Sequence, residues 1–423
     1  MSAARQRSGG RRRKVLVVAC QVLVVLLLAE AAVRLAATRS RSLRMVMQAS
    51  TDATDFTDAG TLPELMERTM LGFSPYDVQY GFVLNSRSFR TREYQPGANV
   101  GGWRIVALGD SFTFASGGLP HEHHWTTALE RRLARRGEQA VEVLRLGVPG
   151  TGPAFQLRLW QLEAAALMPD AVVLGFFVGN DFTDHRGDCG VLCGGERSLS
   201  GGLASSSALY RTGRNLVRVL EARADREATP AAELAPGLKP GEPVPGYRDA
   251  FNPDKPSFRR DDFVAIEARR MALCLRSEDA AFEALLTRVA AELVQLAAEV
   301  KATGARFIVM VIPDQYQVDD GLVEEVLAAT GNRREDYDLL RPQRRLTAVL
   351  EAEDVEVLEL LPVFRAKAER GPFYRPSDTH WNRAGNRIAA AALARTLGSG
   401  APATSAAVFG DGFESGSAAG WER

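Results

Sequence analysis

Residues 104–108 read RIVAL and run directly into Gly109-Asp110-Ser111-Phe112-Thr113. Five residues, four of them apolar, bounded by Gly102 and Gly109 are too few for a helix and fit a short buried strand. The same unit recurs along the chain. Residues 141–146 (VEVLRL) predict a second strand, 171–178 (AVVLGFFV) a third, 306–312 (RFIVMVI) a fourth and 355–360 a fifth. The third is apolar throughout, as expected of a strand covered on both faces. Between the strands, 125–136, 154–167, 281–302 and 342–351 carry helical spacing, and 383–397 predicts a closing helix. Pro169 and Pro313 punctuate the pattern.

Strands that alternate with helices imply a parallel sheet with helices on both faces. The expected fold class is therefore α/β, a three-layer α/β/α domain of flavodoxin-like character with about five parallel strands. The catalytic-type domain is expected at 101–398, with residues 38–100, irregular and rich in Gly, Pro and aromatics, as a lead-in strapped across it. The pattern breaks over 185–265. Pro230 to Pro256 holds seven of the 20 prolines, so this insertion is read either as a flexible excursion or as an ordered lid. Residues 399–423 read as a flexible C-terminal tail.

Charge separates the chain into two parts. The 52 basic and 52 acidic residues cancel, which excludes a generally basic nucleic-acid binder. Residues 1–50, however, carry ten Lys and Arg against one acid, Glu30, a net of +9; residues 51–423 carry a net of −9. Six basic residues within 1–14 precede an apolar run from Val15 to Ala29. As a helix that run would be roughly 22 Å long, and extension to Ala37 gives roughly 35 Å, enough for a hydrocarbon core of about 30 Å. The extension brings in Glu30 and Arg34, which can pair on one helix face. A signal anchor over 15–37 is expected, with a cytoplasmic segment at 1–14 and the body exported, hence a bacterial inner membrane protein whose catalytic domain is periplasmic. Cleavage after a small-x-small site such as Ala29-Glu30-Ala31 and secretion is the alternative. Cys189 and Cys193, in a Gly-rich loop, are open to a disulfide or to two free thiols; a metal site there lacks two further ligands.

Ligands of open parallel sheets gather at the carboxyl ends of the strands. Strand one ends in Gly109-Asp110-Ser111, strand two in Gly147-Val148-Pro149-Gly150 and strand three in Gly179-Asn180-Asp181; Asp378-Thr379-His380-Trp381-Asn382 precedes the last helix. A hydroxyl, a glycine turn, an amide side chain and an Asp/His pair thus converge on one rim. Acyl transfer by a serine needs this set: a base for the hydroxyl proton, an acid to orient the base, and donors for the oxyanion.

On these four blocks, the chain resembles the SGNH (GDSL-like) hydrolase superfamily over 104–398, apart from the insertion. The resemblance implies Ser111 as nucleophile, His380 as base and Asp378 as its orienter, with the Ser111 and Gly150 N–H groups and the Asn180 amide as oxyanion hole. It also implies an acyl-ester substrate and no cofactor. Asp-x-His followed by Trp-Asn, in place of Asp-x-x-His, is similar to the alginate O-acetylation branch, whose members transfer acetyl groups to exported polysaccharides. Three functions are therefore carried forward: an esterase cleaving an acetyl-type ester through an acyl-serine; an O-acetyltransferase acting on an envelope polysaccharide; and a non-catalytic envelope scaffold or carbohydrate-binding protein. The expected partners are an acyl ester, among them an acylated carbohydrate, and the membrane, with no nucleic acid. An acidic body gains nothing from an anionic polymer, which favours a neutral substrate. Nothing in the pattern fixes an oligomeric state.

Plainer roles are assigned elsewhere. Asp110 is expected to hold its turn, as are Asp181 and Asp184. His121, His123 and His124 read as a solvated loop, and Asn382 and Arg383 as caps of the last helix. The stretch from Gly147 to Gly152 lacks the Lys-Ser/Thr of a P-loop and the spacing of a dinucleotide fingerprint.

Overall fold

The computed structural model describes residues 102–183, apart from 117 and 137–139, and 252–398, together with 56, 59–69, 75–79, 81–97 and, towards the N-terminus, 17, 21 and 24–36. Five strands form one wholly parallel sheet: β3 (Gly102–Gly109), β4 (Ala140–Gly147), β5 (Ala171–Phe177), β6 (Arg306–Ile312) and β7 (Glu356–Glu359), after a small hairpin of β1 (Val78–Gln79) and β2 (Phe82–Val83). The spatial order is β4-β3-β5-β6-β7. Numbered from the first parallel strand, this is 2-1-3-4-5, the flavodoxin-like order, whose direction of winding reverses between β3 and β5. The five expected strands and the three layers are present.

Alternation of side chains along each strand divides the core in two. On one face Val106, Leu108, Leu144, Leu146, Val172, Leu174, Val309 and Val311 pack beneath two helices, α4 (Pro153–Leu162) and α6 (Asp279–Ala302). Helix α6 buries Phe282, Leu285, Leu286, Val289, Leu293, Leu296 and Val300, an apolar stripe spaced at three and four residues. On the other face Ile105, Ala107, Val143, Val173, Ile308 and Met310 pack against α3 (Trp125–Ala134) and α10 (Arg383–Gly398). The small side chains Ala389, Ala390 and Ala394 line the buried face of α10.

Residues before 101 enter this core: Ala59, Leu65, Leu84, Phe89 and Tyr94 belong to the first cluster. Among the helices not legible in the sequence pattern are α5 (Arg260–Met271) and α7 (Asp320–Thr330). They pack on one another in a separate cluster around Phe263, Met271, Tyr316 and Val323. Cys274 lies in this cluster, in the 3-10 turn Ala272–Cys274, and its Sγ is 3.5 Å from the Tyr316 hydroxyl.

The expected transmembrane helix is not found in the described part of its span. Residues 24–36 are helical, with Val24, Val25, Leu26, Leu27 and Leu28 exposed and Arg34 Nε donating to Glu30 at 2.8 Å as the spacing implied. Among the described residues, no helix is long and apolar enough to cross a membrane. The rest of the 15–37 segment, the stretch 184–251 with Cys189, Cys193 and Asp184, and the tail from 399 lie outside the described residues.

Candidate active site

The parallel register sets three glycines in a row across the sheet: Gly109 pairs with Gly147 on one side and with Gly175 on the other. The chain leaves β3 at Gly109 (φ +144°) and folds at once into the four-residue helix α2 (Ser111–Phe114). That helix lies on the glycine row. A Cβ on Gly147 would fall 2.4 Å from Phe114 N, and Cβ atoms on Gly109 and Gly175 would fall 2.4 and 2.9 Å from Thr113 Oγ1. Thr113 Oγ1 donates to Leu108 O at 3.1 Å, tying the helix back to its own strand. Missing side chains at three adjacent strand ends therefore set how closely α2 approaches the sheet.

Both ends of α2 are held. The buried Asp110 carboxylate accepts from Phe112 N at 2.9 Å as N-cap, as expected for a turn-holding role. At the far end Ala115 adopts a left-handed conformation (φ +69°), and Arg90 donates to Ala115 O at 2.5 Å and to Leu119 O at 3.2 Å. A cation there matches the negative end of the turn. Arg90 is fully buried, and its guanidinium carbon stands 3.8 Å from the centroid of the Phe82 ring.

Ser111 and His380 line one pocket with Phe112, Ala115, Leu119 and Trp381. The Ser111 hydroxyl donates to Asp110 Oδ2 at 3.3 Å. His380 Nδ1 is 2.7 Å from Asp378 Oδ1, which also accepts from His380 N at 2.9 Å. His380 Nε2 is buried without a hydrogen-bond partner among the described residues. The imidazole rests on Phe112, whose ring centroid is 5.3 Å away. The imidazole is thus oriented through Nδ1, and its residue lines the same pocket as Ser111. The Ser111 hydroxyl must turn from Asp110 to reach the imidazole.

Asp378 is held by more than the histidine. Its Oδ2 accepts from Ser257 Oγ and, at 2.8 Å, from Arg375 Nη1. Burial alone would raise its pKa, but the bonds from His380, Ser257 and the His380 backbone outweigh that and hold the carboxyl well below the usual Asp range. The loop carrying the pair is closed by an antiparallel bridge between Tyr374 and Trp381, with Ser377 at φ +42° in its tip. Asn382 caps α10 as expected, accepting from Ala384 N and Gly385 N at 2.8 and 3.1 Å.

The two remaining predicted residues follow the strands on either side of β3. Gly150 closes the turn after β4 with φ +68°, a conformation glycine adopts without strain. Val148 N donates to Gly109 O at 2.9 Å, so this turn is fastened to the strand that runs into Ser111. Asn180 follows β5 in a turn held by Asp181, whose Oδ2 accepts from Phe177 N at 2.8 Å. Ser111, Gly150 and Asn180 therefore stand beyond the ends of three neighbouring strands, at the point where the winding reverses.

The histidine loop differs from the expectation of a solvated segment. His124 is buried: its Nε2 is 2.9 Å from Phe112 O and its Nδ1 accepts from Thr126 N as cap of α3. That pattern requires a neutral ring protonated at Nε2, and burial together with Arg145 pushes its pKa down. His121 is mostly buried as well, with Nδ1 2.7 Å from Arg145 Nη2, and is pushed down to about 2 by burial and that cation. The loop buttresses α2 from behind. Among the described residues, no group of three or more His, Cys, Asp or Glu side chains is placed to hold a metal ion.

Sequence reading missed Ser257, Glu267, Arg270, Asp314 and Arg375, all within or behind the site. Only Arg375, three residues before Asp378, left a local signal.

In strand order and in the residues gathered at its strand ends the chain is similar to SGNH-type enzymes, the class of GDSL-type esterases and related acyltransferases. Residues 274–410 match the family described as ALGX, the SGNH hydrolase-like domain of acetyltransferase AlgX. The matched stretch contains Asp378 and His380 but begins well after Ser111. No curated protein matches the chain significantly. Solved structures similar to it include an acetyl xylan esterase, AlAXEase, at 12% identity over 70% of this chain and 99% of that one, with a TM-score of 0.37. A lipase/acylhydrolase from Enterococcus faecalis is 15% identical over 70% of this chain and 95% of its own, with a TM-score of 0.34.

Proposed function

We propose that the chain is an ester hydrolase that works through an acyl-serine, with Ser111, His380 and Asp378 as its triad. The observation that carries this reading is the His380 ring, fixed to Asp378 through Nδ1 at 2.7 Å with a buried, unpartnered Nε2 in the pocket shared with Ser111. Ser111 Oγ attacks the ester carbonyl carbon as His380 Nε2 takes the hydroxyl proton. The carbonyl oxygen becomes an oxyanion held by the Ser111 and Gly150 N–H groups and the Asn180 amide. The tetrahedral intermediate collapses, the C–O bond to the alcohol breaks, and His380 returns the proton to the leaving oxygen. Water, deprotonated by the same nitrogen, then attacks the acyl-serine and releases the acid and free Ser111.

A sugar hydroxyl in place of water would make the same site an O-acetyltransferase on an envelope polysaccharide. The match of 274–410 to an acetyltransferase family favours that reading in the part of the chain that carries His380. We further propose that segment 15–37 anchors the protein in the bacterial inner membrane with the domain on the periplasmic side; the exposed leucines and valines of 24–36 support a lipid-facing role.

Turnover of p-nitrophenyl acetate, with and without acetylatable oligosaccharides, tests these readings. Ser111→Ala should abolish turnover and fluorophosphonate labelling. Acetylated oligosaccharide as product selects the transferase. Undiminished activity in Ser111→Ala overturns the mechanism, and a wild-type chain that neither turns over ester nor takes the label points to a non-catalytic carbohydrate-binding or scaffold role.

A further inference from the structure

We infer that Arg270 is a positioning residue that couples the acid–base half of the site to its oxyanion half, an inference that rests on the acyl-serine reading above. Arg270 is near the end of α5, the helix by which the chain returns from the insertion. Its Nη1 donates to Thr379 Oγ1 at 2.5 Å and to Glu267 Oε1 at 2.7 Å. Thr379 is the residue between Asp378 and His380, so the guanidinium grips the short loop that aims the imidazole.

The same side chain faces the other half. Its guanidinium carbon lies 5.3 Å from the centroid of Phe177, the last residue of β5, and its Nε lies 4.0 Å from Asp314 Oδ2. Asp314 Oδ2 in turn occupies the place a side chain at Gly179 would need, 2.2 Å from where its Cβ would be. Gly179 immediately precedes Asn180. One cation thus touches the His380 loop directly and the Asn180 turn through Phe177 and Asp314. A turn of strand-end backbone and a loop preceding α10 have no covalent reason to keep a fixed spacing. A planar, forked donor that spans both supplies one.

The charge balance of the cluster fits a fixed strut. Glu267 and Asp314 are both completely buried, beside a single guanidinium. Two carboxylates that close cannot both ionise against one cation at low dielectric. Burial and the neighbouring Asp314 push the Glu267 carboxyl well above the usual range. A buried strut that touches Glu267, Thr379 and Phe177 at once has little room to reorganise when charge develops on the substrate.

The experiment uses the full chain and reads the rate of fluorophosphonate labelling of Ser111 together with kcat and KM for p-nitrophenyl acetate. Arg270→Gln should slow labelling and lower kcat at least tenfold with KM within twofold. Thr379→Val removes only the hydroxyl that Arg270 grips and should show a loss of the same kind; it serves where loss of the buried cation unfolds the domain. The two changes combined should be no slower than Arg270→Gln alone, because both cut one link, and Arg270→Lys should recover part of the rate. A merely structural Arg270 would lower the unfolding midpoint and leave labelling of the folded protein within twofold, and that result overturns the proposal. Losses that multiply in the double variant overturn it as well. Retained turnover in Ser111→Ala is a different result: it overturns the acyl-serine reading itself.

Discussion

Gln156 clasps the peptide of Gly109 from both sides: its Nε2 donates to Gly109 O at 2.9 Å, and Gly109 N donates to its Oε1 at 3.2 Å. The same Nε2 donates to Thr151 Oγ1 at 2.8 Å. A single buried amide thereby links α4, the turn that holds Gly150 and the strand end that precedes Ser111. Replacement by Leu leaves Gly109 short of two partners in a dry environment. The expected loss is about 2–4 kcal/mol of stability in urea denaturation. A fall in kcat should accompany it, because the spacing of Ser111 and Gly150 is no longer fixed. Unchanged stability would show that the clasp is redundant with the bond from Val148 N.

Gly147→Ala tests the glycine row. The added methyl would meet Phe114 N at 2.4 Å and Thr113 C at 2.6 Å, both backbone atoms that cannot swing aside. Overpacking of this kind costs about 1–3 kcal/mol. The helix bearing Ser111 should lift from the sheet, so fluorophosphonate labelling should slow more than the stability loss explains. Normal labelling in a folded variant would refute the platform role.

Asp378→Asn keeps the shape of the acid and removes its charge. An amide cannot hold His380 in the tautomer that leaves Nε2 free to accept, and kcat should fall by about 10³–10⁴-fold with KM little changed. The carboxyl is depressed in the folded state, so its contribution to stability is present above the ordinary Asp range near 4 and is lost as pH falls below it. Wild type should therefore lose stability relative to Asp378→Asn on acidification below about pH 4. Parallel acid unfolding curves would contradict that sign.

Glu267→Gln should behave in the opposite sense. A carboxyl raised by folding carries no penalty below its unfolded pKa near 4.3, and a penalty that grows by about 1.4 kcal/mol per pH unit until the folded pKa is reached. The unfolding midpoint of the Gln variant relative to wild type should thus rise between pH 5 and pH 8. A relative midpoint that falls over this range would mean that Glu267 is ionised and paired with Arg270.

Three of the four blocks were legible because each is local, a strand and then a turn whose residues serve both the backbone and the chemistry; the fourth, Asp378-Thr379-His380, was legible from its own spacing in the loop before α10. Register did the rest, placing Gly109, Gly147 and Gly175 side by side. What stayed hidden was non-local or weakly patterned. Helix α5 buries Phe263, Val264 and Met271 together with an acid, Glu267, so its apolar stripe is thin and reads as loop. Ser257, Glu267, Arg270 and Asp314 meet the site across long stretches of chain that no spacing rule connects. The histidines at 121 and 124 looked solvated because their partners, Arg145 and the Phe112 carbonyl, come from elsewhere in the fold. The lead-in gave no sign that Arg90 would reach beneath the nucleophile's helix, since its acceptors are bare carbonyls.

The bond from Ser257 to Asp378 has a consequence for how this chain can be shortened or varied. The chain is fastened soon after Asn252, because Ser257, Phe258 and Lys255 all bond onto the loop that carries Asp378. A deletion that rejoins the chain before residue 252 preserves that mooring, whereas one that rejoins it after Ser257 removes a donor from Asp378 while sparing every residue of the four motifs.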